Sequence, residues 1–234
     1  MTPYIAEFFG TLLLVLLGNG VVAGVSLRST KSENAGYLTV AIAWGLAVMM
    51  SIYAVGRISG AHLNPAVTLA LVIAGDFPGD MVIGYILAQF AGAFTGAVLV
   101  WLHYLPHWAS TEGTEKKLGT FCTGPAIRSA PHNLFSEVLA TIVLTLAILF
   151  IGANKYTEGF NPIAVGALIT TIGLSLGGTT GFAINPARDL GPRIAHALLP
   201  IPGKGNSDWP YSWIPVVGPM VGGALGALIF KLLF

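Results

Sequence analysis

The tripeptide Asn-Pro-Ala occurs twice in this sequence, and it carries the polar residues whose types and spacing point most clearly to chemistry. The copies are Asn64-Pro65-Ala66, inside ISGAHLNPAVTLA, and Asn185-Pro186-Ala187, inside TTGFAINPARDLG. Asparagine is a preferred helix N-cap and proline suits the first helical position, so each copy predicts a helix that begins at its proline. If the backbone N–H groups of that helix engage the asparagine side-chain oxygen, the NH2 group remains as a fixed donor.

The two predicted helix starts would also act together on a solute. A helix N-terminus carries about half a positive charge. If two such ends meet, a cation or a proton encounters a barrier there, whereas a neutral hydroxyl group finds two donors. The chemistry predicted by the two motifs is therefore the recognition of a neutral polar solute.

The composition shows in what kind of protein these motifs occur. Of the 234 residues, 54% are hydrophobic and 9% are charged, with a mean hydropathy of +0.77, whereas soluble domains contain about 25% charged residues. The chain is therefore expected to be a membrane protein. A net charge of +1 gives no reason to expect a nucleic-acid partner, and the single cysteine, Cys122, excludes an internal disulfide and a multi-cysteine metal site.

Six segments are long and apolar enough to cross a hydrocarbon core of about 30 Å, and we predict an all-α membrane protein with six transmembrane helices and two re-entrant half-helices. The first segment contains Glu7, lacks a preceding basic region and exceeds a signal-peptide core in length, so we expect it to be retained. The predicted spans lie near residues 4–26, 37–56, 81–103, 133–153, 161–178 and 212–233.

A short apolar run follows each motif, VTLALVIAG after the first and LGPRIAHALL after the second. At 1.5 Å per residue, about ten helical residues cross only half of a membrane, which predicts the two half-helices. Non-helical backbone is tolerated at membrane depth only where protein buries it or a wet cavity solvates it. Both motifs should therefore face a lumen near the middle of the membrane.

The chain is a duplication, because residues of the first half recur in the second at an offset of 130. The two motifs are instead 121 positions apart, owing to differences in loop length. Three full spans in each repeat require the second repeat to be inverted. We predict one transmembrane domain over residues 1–234, with repeats at about 1–105 and 132–234 joined by a loop. The matched pairs are Glu7 with Glu137, Thr11 with Thr141, Gly92 with Gly222, Gly96 with Gly226, and Ala97 with Ala227.

Several charged residues lie within these apolar stretches. A carboxylate such as Glu7 or Glu137 could relay protons or could accept hydrogen bonds that brace the half-helices, and the residues alone leave both uses open. Arg188 is costly at this depth unless it faces water or a partner. His62 has no second ligand at metal-binding spacing, so we expect no metal, no cofactor and a histidine buried in its loop. The remaining charges, such as Lys116 and Lys117, are expected to be solvated.

The stretches SGAHLNPAVT and GFAINPARD resemble the twin signatures of the aquaporin, or major intrinsic protein, family. The pattern Trp, Gly, Phe, Arg, with an Asp after the second motif, is similar to the glycerol-conducting branch, the aquaglyceroporins. The resemblance implies a narrow outer selectivity filter, a ladder of backbone carbonyls in two segments that we expect to be extended, and bracing residues. These are, in turn, Trp44, Gly173, Phe182 and Arg188; Gly60, Ala61, His62, Gly181, Phe182 and Ala183; and Glu7, Glu137 and Asp189.

The resemblance also implies a passive channel for glycerol, with some water, that excludes protons and ions. Dihydroxyacetone, urea, hydrogen peroxide and undissociated lactic acid have suitable size and polarity. A coupled secondary transporter also uses inverted repeats, but it needs a titrating or ion-binding site where we expect only amide donors. A membrane enzyme would need an acid and base pair that the sequence does not offer.

The basic residues do not follow the family topology. The resemblance implies that residues 1–234 form one channel domain of a homotetramer in a bacterial plasma membrane, in contact with lipid. It also implies that both termini are cytoplasmic and that the loop between the repeats is extracellular. That orientation places only Arg57, Lys155 and Lys231 inside, which contradicts the positive-inside bias. Two of the residues on the other side, Arg188 and Arg193, could belong to the pore. The full set on that side is Arg28, Lys31, Lys116, Lys117, Arg128, Arg188, Arg193 and Lys204.

Overall fold

The computed structural model describes all 234 residues and is all-helical, with ten α-helices and two single-turn 3-10 helices. The α-helices are α1 (Pro3–Ser26), α2 (Tyr37–Ser59), α3 (Pro65–Ala74), α4 (Val82–His103), α5 (Leu105–Ser110), α6 (Thr114–Phe121), α7 (Ala130–Ala153), α8 (Asn161–Leu176), α9 (Pro186–Leu198) and α10 (Ile214–Leu233). The 3-10 turns, Gly79–Met81 and Trp209–Tyr211, precede α4 and α10.

Six of these helices coincide with the expected spans, and each bound lies within three residues of the expected one. Five of the six, α1, α2, α4, α7 and α10, are long and apolar enough to cross a membrane. The other, α8, is apolar but has 16 residues, so it rises only about 24 Å. The six-span fold is therefore present with one short member.

The two predicted half-helices are α3, with 10 residues, and α9, with 13. Both begin at the proline of the Asn-Pro-Ala motif. The first ends at Gly75, whose left-handed backbone (φ +93°) suits glycine and lets its N–H reach the carbonyl oxygens of Leu71 and Val72. The second ends before Leu199, whose N–H bonds to the Ala195 carbonyl oxygen.

The duplication predicted from the sequence is visible in how the helices pack. In the first half α4 lies against α1, and a Cβ on Gly96 would be 2.6 Å from the Leu12 carbonyl oxygen. In the second half α10 lies against α7, and a Cβ on Gly226 would be 3.0 Å from the Ile142 carbonyl oxygen. Both approaches require glycine, as expected for small residues at helix crossings in lipid.

The connection between the repeats is not the plain loop that we expected, because it contains α5 and α6. Trp108 and Phe121 from these helices are fully buried, and the Asn19 side chain donates a 2.9 Å hydrogen bond to the Phe121 carbonyl oxygen, which ties the connection to α1. The expectation that Lys117 is solvated is wrong: this residue is buried, and its ammonium group donates to the Pro202 carbonyl oxygen. Lys116 is exposed, as expected.

Candidate functional site

Each asparagine of the two motifs caps its own half-helix. The Asn64 side-chain oxygen accepts from the Ala66 N–H at 2.9 Å, and the Asn185 oxygen accepts from the N–H groups of Ala187 and Arg188 at 3.0 and 3.1 Å. Both asparagines have extended backbones, which is the usual N-cap geometry. The predicted caps are therefore present in both repeats.

The same two side chains also join the repeats to each other. The Asn64 Nδ2 atom donates to the Ile184 carbonyl oxygen, and the Asn185 Nδ2 atom donates to the Leu63 carbonyl oxygen, each at 2.8 Å. Each acceptor directly precedes the opposite asparagine, so the two half-helices meet start to start. One N–H of each amide remains for a solute, because an NH2 group has two hydrogens.

The segments that precede the motifs are non-helical but are not simply extended, which corrects our expectation. In the first segment Ala61 and Leu63 have positive φ values of 51° and 55°, and in the second Phe182 and Ile184 have values of 42° and 43°. Positive φ is uncommon for residues other than glycine. Backbone of this kind persists only where neighbouring groups hold it in place, for example as partners of its N–H groups.

Glu7 supplies those partners in the first repeat. Its carboxylate is fully buried and accepts from the N–H groups of His62 (2.9 Å) and Leu63 (2.7 Å). The Ser59 hydroxyl and the Gln89 side-chain amide donate to the same carboxylate at 2.7 and 2.8 Å. The first two contacts hold the segment that carries the first motif, and the other two join the carboxylate to the end of α2 and to α4.

Glu137 does the same in the second repeat. This carboxylate is also fully buried and accepts from the N–H groups of Ala183 (3.0 Å) and Ile184 (2.9 Å) and from the Thr180 hydroxyl (2.6 Å). Ser59 and Thr180 are 121 positions apart, as are the other two pairs of donors. The two carboxylates are therefore equivalent in structure as well as in sequence.

Asp189 lies in the first turn of α9 and contacts the segment that follows α6. One carboxylate oxygen accepts from the N–H and the hydroxyl of Thr123 at 2.7 and 2.6 Å, and the other accepts from Arg193 at 2.9 and 3.0 Å. Arg193 is fully buried and also donates to the carbonyl oxygens of Thr123 and Ser207. Arg193 is thus neither a solvated loop charge nor a group that lines a cavity.

Arg188 has a different environment from Arg193. Its guanidinium carbon lies 4.1 Å from the ring centroid of Trp44, a cation–π contact, and no hydrogen bond joins the guanidinium to another protein group. The guanidinium N–H donors of Arg188 are therefore available to a solute. Trp44 packs its benzo edge against α1 at Gly18 and is 3% exposed.

Phe182 and Gly173 lie on the side opposite the pair formed by Trp44 and Arg188. A Cβ on Gly173 would be 3.0 Å from the Phe182 Cζ atom and 3.1 Å from the Ala41 Cβ atom, so the ring occupies space that glycine leaves free. The Tyr37 ring meets Phe182 edge to face at 6.4 Å, and its hydroxyl donates to the Gly173 carbonyl oxygen at 3.2 Å. The absence of a side chain at Gly173 therefore sets where the phenyl ring lies.

Two cavities lead to these residues from the two ends of the protein. The large cavity, about 570 Å³, is lined by both asparagines, by the carbonyl segments and by aliphatic side chains. The small cavity, about 330 Å³, is lined by Tyr37, Cys122 and the segment around Thr123. Trp44, Phe182 and Arg188 line both cavities. These three residues therefore form the boundary between the cavities.

His62 is buried in its loop, as expected. Its Nδ1 atom lies 3.1 Å from the Thr68 hydroxyl oxygen, and its ring lies 4.5 Å from the Phe77 ring and 4.8 Å from the Tyr85 ring, between centroids.

Cys122, outside the membrane-spanning helices, is also buried, and this burial raises the pKa of its thiol.

Sequence reasoning did not identify several residues that hold the site. Gln89 and Thr123 are examples: each contacts a bracing carboxylate across a long stretch of sequence, and neither belongs to a motif. For Ser59 and Thr180 a signal was available, because both are hydroxyl residues five positions before a motif asparagine. Polar residues at matched positions of two repeats are therefore worth examining as partners of matched carboxylates.

The family model for the major intrinsic protein matches residues 1–230. The chain is 58% identical to the probable glycerol uptake facilitator protein of Thermotoga maritima, over all 234 residues and the whole of that protein. It is also 58% identical to the glycerol uptake facilitator protein of Bacillus subtilis, over all of this chain and 85% of that one.

A solved structure adds a comparison of the fold. The aquaglyceroporin from Plasmodium falciparum superposes with a TM-score of 0.85 at 31% identity, covering 97% of this chain and 94% of that one. The paired motifs, the two half-helices and the match over nearly the full length lead to one conclusion: the chain belongs to the major intrinsic protein family, the family of the aquaporins and aquaglyceroporins.

Proposed function

We propose that this protein is a passive membrane channel of the glycerol facilitator branch, through which glycerol and other small uncharged solutes, with some water, diffuse while protons and ions are excluded. One observation carries the proposal. Asn64 and Asn185, each clamped by its own helix and by the opposite repeat, line one cavity whose end is formed by Trp44, Phe182 and Arg188. The names of the relatives in Thermotoga maritima and Bacillus subtilis support glycerol as the solute.

The boundary residues have the chemistry that a polyol requires. Glycerol has an alkyl edge and a hydroxyl edge. Trp44 and Phe182 offer an aromatic corner to the carbon atoms, while Arg188 has N–H donors that no protein group uses. We propose that these three residues, with Gly173 behind the phenyl ring, form the selectivity filter. The carbonyl oxygens of Gly60, Ala61 and His62, and of Gly181, Phe182 and Ala183, would then accept hydrogen bonds from solute hydroxyls.

The positions of Glu7 and Glu137 favour bracing over proton relay. Neither carboxylate lines the large or the small cavity, and each already accepts at least three hydrogen bonds from the protein. A coupled transporter needs a titrating or ion-binding group in contact with its pathway. The groups at the meeting point are asparagine amides and helix N-termini, which disfavour a cation. We propose that Asp189 braces the second half-helix in the same way.

The larger assembly is also part of the proposal. We infer one channel domain over residues 1–234, with inverted repeats at about 1–105 and 132–234, in a bacterial plasma membrane with both termini cytoplasmic. As in the family, each subunit of a homotetramer would hold its own pore. Dihydroxyacetone, urea, hydrogen peroxide and undissociated lactic acid are further candidate solutes, because each is small and neutral and carries hydrogen-bonding groups. We propose no enzymatic activity.

Solute flux into proteoliposomes tests the proposal. Light scattering should report glycerol entry down its gradient at a rate unchanged by protonophore or by replacement of sodium, and a dye-based assay should report no proton leak above that of empty vesicles. Uptake that collapses when a proton or sodium gradient is removed would favour a coupled transporter. Glycerol entry no faster than in protein-free vesicles would contradict a channel.

A further inference from the structure

The inverted repeats place a counterpart of each filter residue on the other side of the paired asparagines. The register is 121 through this part of the protein, because Glu7 binds Ser59 and Leu63 where Glu137 binds Thr180 and Ile184.

The same register holds where α2 crosses α8. A Cβ on Gly45 would be 2.5 Å from the Gly166 carbonyl oxygen, and a Cβ on Gly166 would be 2.8 Å from the Gly45 carbonyl oxygen. These two glycines are also 121 positions apart, and each contacts the other in the same way. The correspondence therefore extends from the loops into both helices.

Applied to the filter positions, this register selects four residues. Trp44 corresponds to Val165, Phe182 to Ala61, and Arg188 to Val67. Gly173 corresponds to Ile52. All four counterparts line the large cavity and none lines the small one, as expected for residues across the asparagine pair from the filter. We call this set, Ile52, Ala61, Val67 and Val165, the aliphatic ring.

The aliphatic ring differs from the filter in chemistry although it matches it in position. Val67 stands where the filter has a guanidinium, and no member of the ring has a polar side-chain group. The adjoining residues Gly60, Ala61 and His62 also line the cavity, and the carbonyl oxygens that we propose as their contribution accept but do not donate. A molecule in the ring can therefore donate hydrogen bonds to one wall and must leave its remaining surface against carbon.

Glycerol and water meet this environment differently. Glycerol can direct its hydroxyls to the carbonyls and its CH groups to Val67 and Val165. A water molecule has no apolar surface to place against these side chains, so it makes fewer hydrogen bonds there than in bulk water, which is unfavourable. We propose that the aliphatic ring is a second specificity-determining element, which favours polyols over water independently of the filter. This inference rests on the proposed glycerol channel.

Single substitutions of near-constant shape test the ring. Val165→Thr and Val67→Thr each add a hydroxyl to the lumen with little change in volume, and each should raise the ratio of water to glycerol flux by about threefold to tenfold. Val217→Thr is the matched control, because Val217 lies on the exposed face of α10 and lines neither cavity. This control should leave the ratio unchanged.

Val165→Ala separates polarity from size, because it widens the ring without adding a polar group. The inference predicts that Val165→Ala changes the ratio far less than Val165→Thr does. If Val165→Ala and Val165→Thr change the ratio equally, the width of the passage alone explains the effect and the proposal is overturned. An unchanged ratio in both threonine variants at equal protein content would also overturn it. If the unmodified protein carries no glycerol in the same assay, the proposed function fails and the ring proposal fails with it.

Discussion

Asn64 and Ile184 lie 120 positions apart, yet the Asn64 side-chain nitrogen donates a 2.8 Å hydrogen bond to the Ile184 carbonyl oxygen. The reciprocal bond from Asn185 to Leu63 has the same length. Each asparagine thus orders two segments at once, its own half-helix through the oxygen and the opposite repeat through the nitrogen. This double use orients the remaining N–H of each amide without further ligands.

Asn64→Asp should impair conduction strongly, because it keeps the capping oxygen but removes the donor to Ile184. The carboxylate also adds a buried charge opposite a carbonyl oxygen, and such unsatisfied groups are costly. We expect glycerol flux to fall about tenfold or more in proteoliposomes with equal protein content. Asn206→Asp, in an exposed loop, is the control and should conduct normally. Normal flux through Asn64→Asp would show that the bridge is dispensable.

Glu137→Gln should destabilise the protein. Three donors converge on the two oxygens of this carboxylate. A glutamine amide would replace one oxygen by an NH2 group, which would face at least one of these donors. A hydrogen bond to a buried charged group contributes about 1.5–3 kcal/mol. Thermal unfolding in detergent should show a lower midpoint for Glu137→Gln, with Glu112→Gln, an exposed residue, at the wild-type value. Equal midpoints would argue against bracing.

Gly173→Ala should narrow the boundary between the cavities. The added methyl group would be 3.0 Å from the Phe182 Cζ atom and 3.1 Å from the Ala41 Cβ atom, so the phenyl ring or α2 must shift by a few tenths of an ångström. Overpacking of this kind is unfavourable, and we expect glycerol flux to fall about threefold to tenfold while water flux falls less. Gly178→Ala is the matched control, because no atom lies within 4 Å of its added Cβ. Similar fluxes in the two variants would remove Gly173 from the filter.

Cys122 should resist alkylation in the folded protein. It is 2% exposed, and burial raises the pKa of its thiol, so the reactive thiolate is scarcer at pH 8 than for an ordinary cysteine. A maleimide should label the folded protein at least about tenfold more slowly than the protein unfolded in SDS. The double variant Lys31→Cys with Cys122→Ala, with one thiol in an exposed loop, should react rapidly when folded. Equal labelling of folded and unfolded wild type would contradict this prediction.

The sequence by itself determined the membrane class, the bounds of the six spans to within three residues, the inverted duplication and the identity of the two capping asparagines. These properties are local or periodic: an apolar run predicts a span, Asn-Pro predicts a helix start, and a constant offset predicts a repeat. Such signals need no knowledge of which distant segments meet.

Only the tertiary structure decided which distant groups hold the site together. The Asn64 to Ile184 bridge, the Gln89 contact with Glu7 and the burial of Lys117 and Arg193 join segments far apart in sequence. The positive φ values before each motif also depend on distant contacts, because buried carboxylates hold the backbone N–H groups in place. A sequence specifies the donors and acceptors, but their pairing depends on which helices pack together, and that is a property of the whole fold.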